Sequence, residues 1–225
     1  MLALVPQPIT VRVSDAESVS ALLLRPEHAR ACYVLAHGAG AGMNHPFMAS
    51  VSDGLAQRGI ATLRYQFPFI ERGSKRPDFP PLAHATVRAA TTSASNLMPD
   101  LALFAGGKSF GGRMTSQAQS EAPLAQVRGL VFLGFPLHPA KKPSQERAAH
   151  LARVKCPMLF LQGTRDELAD IDLIREVTEK LGELATLQLF ADADHSFHVR
   201  ARSGQTDQQV LDSMLDAIAA WISTR

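Results

Sequence analysis

The stretch LALFAGGKSFGGRM, residues 101–114, decides how the chain is read. Its first five residues are apolar and predict a buried strand. Gly106 and Gly107 follow, then Lys108, Ser109, Phe110, Gly111 and Gly112. Residues 113–121 contain no proline and predict a helix. Strand, glycine-flanked turn and helix is the setting in which G-x-S-x-G exposes a nucleophile. The serine must sit on a strained turn above the sheet edge. The positions two before and two after it are crowded by strand and helix, so they must be small. Gly107 and Gly111 meet that need, with Gly106 and Gly112 adding room. The helix start also aims backbone N–H groups at the serine. GKS is shared with phosphate-binding loops, but that motif needs glycine at 102, where Ala102 stands. The plain alternative is a glycine-rich strand–helix turn with an incidental serine.

The remaining chain supplies the sheet around this turn. Residues 9–13 and 20–25 read as a hairpin, and residues 31–36 (ACYVLA) as a fully apolar, central strand. Residues 60–65, 101–105, 128–135, 157–161 and 186–190 continue the series of strands. Helical spacing falls at 45–59, 81–97, 145–154, 170–181 and 206–222, with Asn44 placed to cap the first. Residues 66–80 read as a long loop. Apolar strands alternating with helices imply a mostly parallel sheet of about eight strands, covered on both faces. In such sheets ligands bind beyond the carboxyl ends of the strands. Four of those ends run into polar or glycine-rich signals: HGAGAG at 37–42, GKSFGG at 107–112, GTRD at 163–166 and DHSF at 194–197.

Composition narrows the function classes. The 225 residues are 46% hydrophobic and 20% charged, which is enough for one sizeable core, so a single domain spanning 1–225 is expected. A net charge of +2 makes no case for nucleic acid. No apolar run is long enough to span a bilayer, and residues 1–15 lack the pattern of a secretory leader. Cys32 and Cys156 are too few for a disulfide framework, so both are expected reduced and the location cytoplasmic. No His/Cys/Asp grouping has metal-ligand spacing, and neither metal nor cofactor is expected.

On HGAGAG, GKSFGG, GTRD and DHSF, the chain resembles the α/β-hydrolase superfamily, in particular its small cap-less dienelactone-hydrolase-like branch. The resemblance covers nearly the whole chain. It implies a three-layer α/β-hydrolase fold without a large lid. It also implies the order nucleophile, acid, histidine, which Ser109, Asp166 and His195 satisfy. A serine hydroxyl is too weak an acid to attack unaided. His195 would take its proton, and Asp166 would hold the imidazole in the useful tautomer. Glu167 and Asp170 compete for the acid role, while Asp192 and Asp194 are expected to cap the turn before His195. For the oxyanion, the N–H of Phe110 is one donor. Ala39 or Gly40 is the second, with Ala39 preferred, and His37 braces that loop. Phe67, Phe69 and His138 are expected at the substrate pocket, with Arg72, Lys75, Arg76, Lys141 and Lys142 as a positive rim. The implied activity is hydrolysis of small esters, lactones or related acyl compounds, with a small-molecule acyl substrate as the partner. The same residues would serve a thioesterase or peptidase. A binding module that keeps the fold without catalysis is the alternative from another class.

Overall fold

Eight strands form one sheet in the order β1-β2-β4-β3-β5-β6-β7-β8. The computed structural model describes residues 4–225. The hairpin strands β1 (Gln7–Arg12) and β2 (Ser18–Leu24) are antiparallel, and β2 also runs antiparallel to β4 (Ile60–Tyr65). From β4 onward the sheet is parallel: β3 (Ala31–Ala36), β5 (Ala102–Lys108), β6 (Val127–Leu133), β7 (Met158–Gly163) and β8 (Ala185–Phe190). β3 and β4 are buried at every position, as expected of parallel strands covered on both faces.

Alternate residues of β3 feed two separate cores. Cys32, Val34 and Ala36 face a core shared with α3 (Pro80–Leu97), α4 (Phe110–Glu121) and α5 (Ile171–Leu181). Ala31, Tyr33 and Leu35 face the other, closed by α1 (Pro46–Gln57) and α6 (Asp207–Ser223). This period-two split gives the three layers. No helix of the described residues is long and apolar enough to cross a membrane.

Some boundaries differ from the sequence expectation. The 66–80 loop contains a short helix, α2 (Pro68–Glu71). The 145–154 helix is a 3₁₀ segment, Glu146–Arg153. Asn44 does not cap α1. His45 does, its Nδ1 accepting from Phe47 N at 3.2 Å, with Pro46 opening the helix. Proline at the first helical position fixes where the helix begins, one residue later than the asparagine would place it.

β3 and β5 are neighbours, yet the chain leaves β3 toward β4 on one side and β5 toward β6 on the other. That divergence is the topological switch point where such sheets open a crevice. The loop after β3 carries Ala39, and the turn after β5 carries Ser109.

Candidate active site

The turn after β5 is built for close approach. Ser109 sits between strand and helix with φ 51° and ψ −112°, a conformation that costs a non-glycine residue about 1–3 kcal/mol. A side chain at Gly107 would run into the carbonyl of Ala36 on β3. One at Gly111 would place its Cβ 2.6 Å from the Ala36 Cβ and from the His37 carbonyl oxygen. Glycine at these two places lets α4 start at Phe110, directly after the serine, rather than at residue 113.

Three residues distant in sequence meet over this turn. His195 Nε2 lies 2.9 Å from Ser109 Oγ, and His195 Nδ1 lies 2.7 Å from Asp166 Oδ2. Asp166 is 6% exposed, and its carboxylate is held from two further sides. Gln162 Nε2 donates to Oδ2, and the Leu168 N–H donates to Oδ1 at 2.8 Å. Gln162 is itself fixed, its Oε1 accepting from Phe135 N at 2.9 Å. An acceptor-only carboxylate facing Nδ1 favours the tautomer with its proton there, leaving Nε2 free to accept from the serine. Of the competing acids, Asp170 instead caps α5, while Asp194, expected as a turn cap, accepts from the backbone of Ser196 and His198.

A cleft of about 300 Å³ opens beside the serine. It is lined by Ala39, Ser109, Phe110, Pro136 and Leu168, with Arg113 and Arg147 on its wall. Ala39 therefore shares the cleft with Ser109 and Phe110, whereas Gly40 is exposed and outside the lining. His37 braces the Ala39 loop. Its Nε2 accepts from Phe67 N at 3.0 Å, so its Nδ1 carries the proton and donates to the Gly38 carbonyl at 2.7 Å. Burial holds this imidazole neutral, lowering its pKa from 6.5 to about 4.

Three expected pocket residues lie elsewhere. Phe67 and Phe69 are fully buried beneath the site, packed on His37 and edge-on to Phe110 at 5.2 and 6.0 Å. They support the elbow from below because α2 folds their loop inward. His138 is buried too, with both ring nitrogens used by backbone. Its Nε2 accepts from Asp170 N, and its Nδ1 donates to the Pro139 carbonyl, each at 2.9 Å. It ties the segment after β6 to the segment that carries Asp166. The expected rim is also altered, since Arg72 is engaged by Glu17 and Asp78.

Gln162, Lys108, Arg113 and Arg147 were not singled out as site residues by the sequence. Gln162 was detectable as the one amide in an otherwise apolar strand, MLFLQG. The arginines carry no local signal, because only the fold brings residue 147 beside residue 113.

A family described as alpha/beta hydrolase domain matches residues 29–223. The chain belongs to that family. Solved structures of similar architecture cover nearly all of it. A dienelactone hydrolase from Anabaena variabilis aligns at TM-score 0.78 and 21% identity, over 99% of this chain and 98% of that one. A lidless α/β serine hydrolase from Xanthomonas campestris aligns at 0.74 and 18%, over 96% and 94%. A cold-adapted esterase from an Arctic intertidal metagenomic library aligns at 0.68 and 18%, over 98% and 95%. At these identities the likeness establishes the shared fold, and among the described residues no lid is inserted into it.

Proposed function

We propose that the protein is a serine hydrolase that cleaves small carboxylic esters, lactones or related acyl compounds through an acyl-enzyme. The observation that carries this reading is the imidazole of His195, within hydrogen-bond reach of Ser109 on one side and a buried carboxylate on the other. As Ser109 Oγ bonds to the acyl carbon, its proton passes to His195 Nε2. The Nδ1–H bond to Asp166 stabilises the imidazolium that forms. The carbonyl oxygen gains charge at the start of α4, where the backbone N–H groups of Phe110 and Ala39 are its donors. His195 then protonates the departing alkoxide. Water repeats the sequence and frees the acid.

The cleft favours an anionic substrate. Arg113 Nε is buried without a hydrogen-bond partner. Burial, then the neighbouring Arg147 charge, lower the Arg113 pKa, as expected of two guanidinium groups close together. The acid in this cleft, Asp78, already accepts from Arg72 and from Phe69 N. A carboxylate on the substrate would relieve the arginine pair.

The test compares p-nitrophenyl acetate with p-nitrophenyl hemiglutarate. The protein is expected to hydrolyse both and to prefer the anionic ester. The double variant Arg113→Gln/Arg147→Gln should reduce kcat/KM for hemiglutarate by about ten-fold or more, and change the acetate little. Added salt should erode the same preference in the wild type. Equal effects on both esters would remove the anionic preference. Failure to turn over any ester, thioester or lactone would remove the hydrolase reading.

A further inference from the structure

Lys108 directly precedes the serine and takes no part in the mechanism above. Its side chain leaves the cleft and turns toward the loop after β8. There Nζ donates to the main-chain carbonyl of His195 at 2.5 Å and lies 5.5 Å from the ring centre of Phe197. Gly134, after β6, makes room for this arrangement. A Cβ at 134 would lie 3.1 Å from Lys108 Nζ and 3.4 Å from His195 Cε1 and Nδ1. The Lys108 stem passes Gly38, where an added Cβ would stand at ordinary contact distance, 3.6 Å from Cγ. One ammonium thus joins the strand that carries the serine to the loop that carries the imidazole. Within that loop Phe197 takes φ 63° although it is not a glycine, and its N–H donates to the Asp194 carbonyl at 3.0 Å.

We propose that Lys108 is a positioning residue that keeps His195 Nε2 over Ser109 Oγ by pinning the His195 backbone, while its charge faces the buried Asp166. The inference rests on the serine-hydrolase reading. The charged or titratable groups facing the ammonium are Asp166 after β7 and Asp194 and His195 after β8, with Gly134 after β6 beside it. Burial lowers the Lys108 pKa from 10.5 to about 8, and attraction from Asp166 and Asp194 opposes part of that fall. The cation is therefore present below about pH 8 and lost above it.

The experiment measures p-nitrophenyl acetate hydrolysis against pH for the wild type, Lys108→Met and Lys108→Gln. Lys108→Met is expected to lose about ten- to a hundred-fold in kcat, with KM changed about two-fold or less, because misplacement of the base affects the chemical step. The wild-type kcat should fall as pH rises through about 8, and that limb should be missing from both variants. Glutamine retains a donor without the charge, so it should recover part of the rate but not the limb. Wild-type kcat and an intact limb in Lys108→Met overturn the proposal. Should that variant not fold, the same result in Lys108→Gln does so. If the wild type hydrolyses no ester, the hydrolase reading fails instead. Amide hydrogen exchange over residues 194–197 then decides the positioning role: faster exchange in the variants supports it, and unchanged exchange overturns it.

Discussion

Replacing His195 by alanine is expected to lower kcat for a short acyl ester by about a million-fold while KM moves little. The size follows from how the groups act together. Without Nε2 to accept its proton, the hydroxyl of Ser109 stays a poor nucleophile, and nothing protonates the leaving alkoxide. What survives is the contribution of binding and the backbone donors near Ala39 and Phe110. His198 is the proper comparison. It lies three residues away, is exposed, and is paired with Asp207 through Nδ1 at 2.7 Å. His198→Ala should leave the rate nearly unchanged. Steady-state kinetics on the two variants checks the pair, and equal losses in both would contradict the assignment of His195 as the base.

Asp166→Asn is the second large effect, with kcat expected to fall by about ten thousand-fold. The substitution preserves shape but not hydrogen-bond sense. In the present arrangement Asp166 only accepts, from Gln162, from Leu168 N and from His195 Nδ1. An asparagine oriented to keep the Leu168 contact turns its NH₂ toward the groups that now donate to Oδ2. The imidazole answers by moving its proton to Nε2, where it faces the serine and cannot accept. Stability should change far less than activity, so the check pairs kcat with the denaturation midpoint. A variant that keeps its rate would show that the carboxylate does not set the tautomer.

Much of the architecture was readable because parallel strands buried on both faces are written as apolar runs. ACYVLA and IATLRY declare themselves in this way, and both are buried throughout. Glycine marked the elbow for a steric reason that the structure makes explicit at Gly107 and Gly111. Ser109, Asp166 and His195 were legible together because each lies on the loop that leaves the carboxyl end of a strand, and parallel strands deliver such loops to one edge. Other features depend on contacts between distant segments. Phe67 and Phe69 looked like loop aromatics until α2 turned them into the core. His138 looked like a loop histidine, but both its ring nitrogens are taken by backbone, one of them on the Asp166 segment. Arg147 lies on a 3₁₀ segment whose register against α4 nothing local announces. Lys108 stood out in the sequence only as part of GKS, a string shared with phosphate-binding loops, and the fold gives it a partner in the His195 carbonyl.

The most direct measurement is intact-mass analysis after exposure to a fluorophosphonate, followed by peptide mapping. A strained serine whose proton is removed by His195 should displace fluoride and carry the phosphonyl group on Ser109 Oγ. The account predicts one adduct at that residue, none in Ser109→Ala, and strongly slowed labelling in His195→Ala. A folded wild-type protein that remains unlabelled, or carries the adduct on another residue, would contradict it.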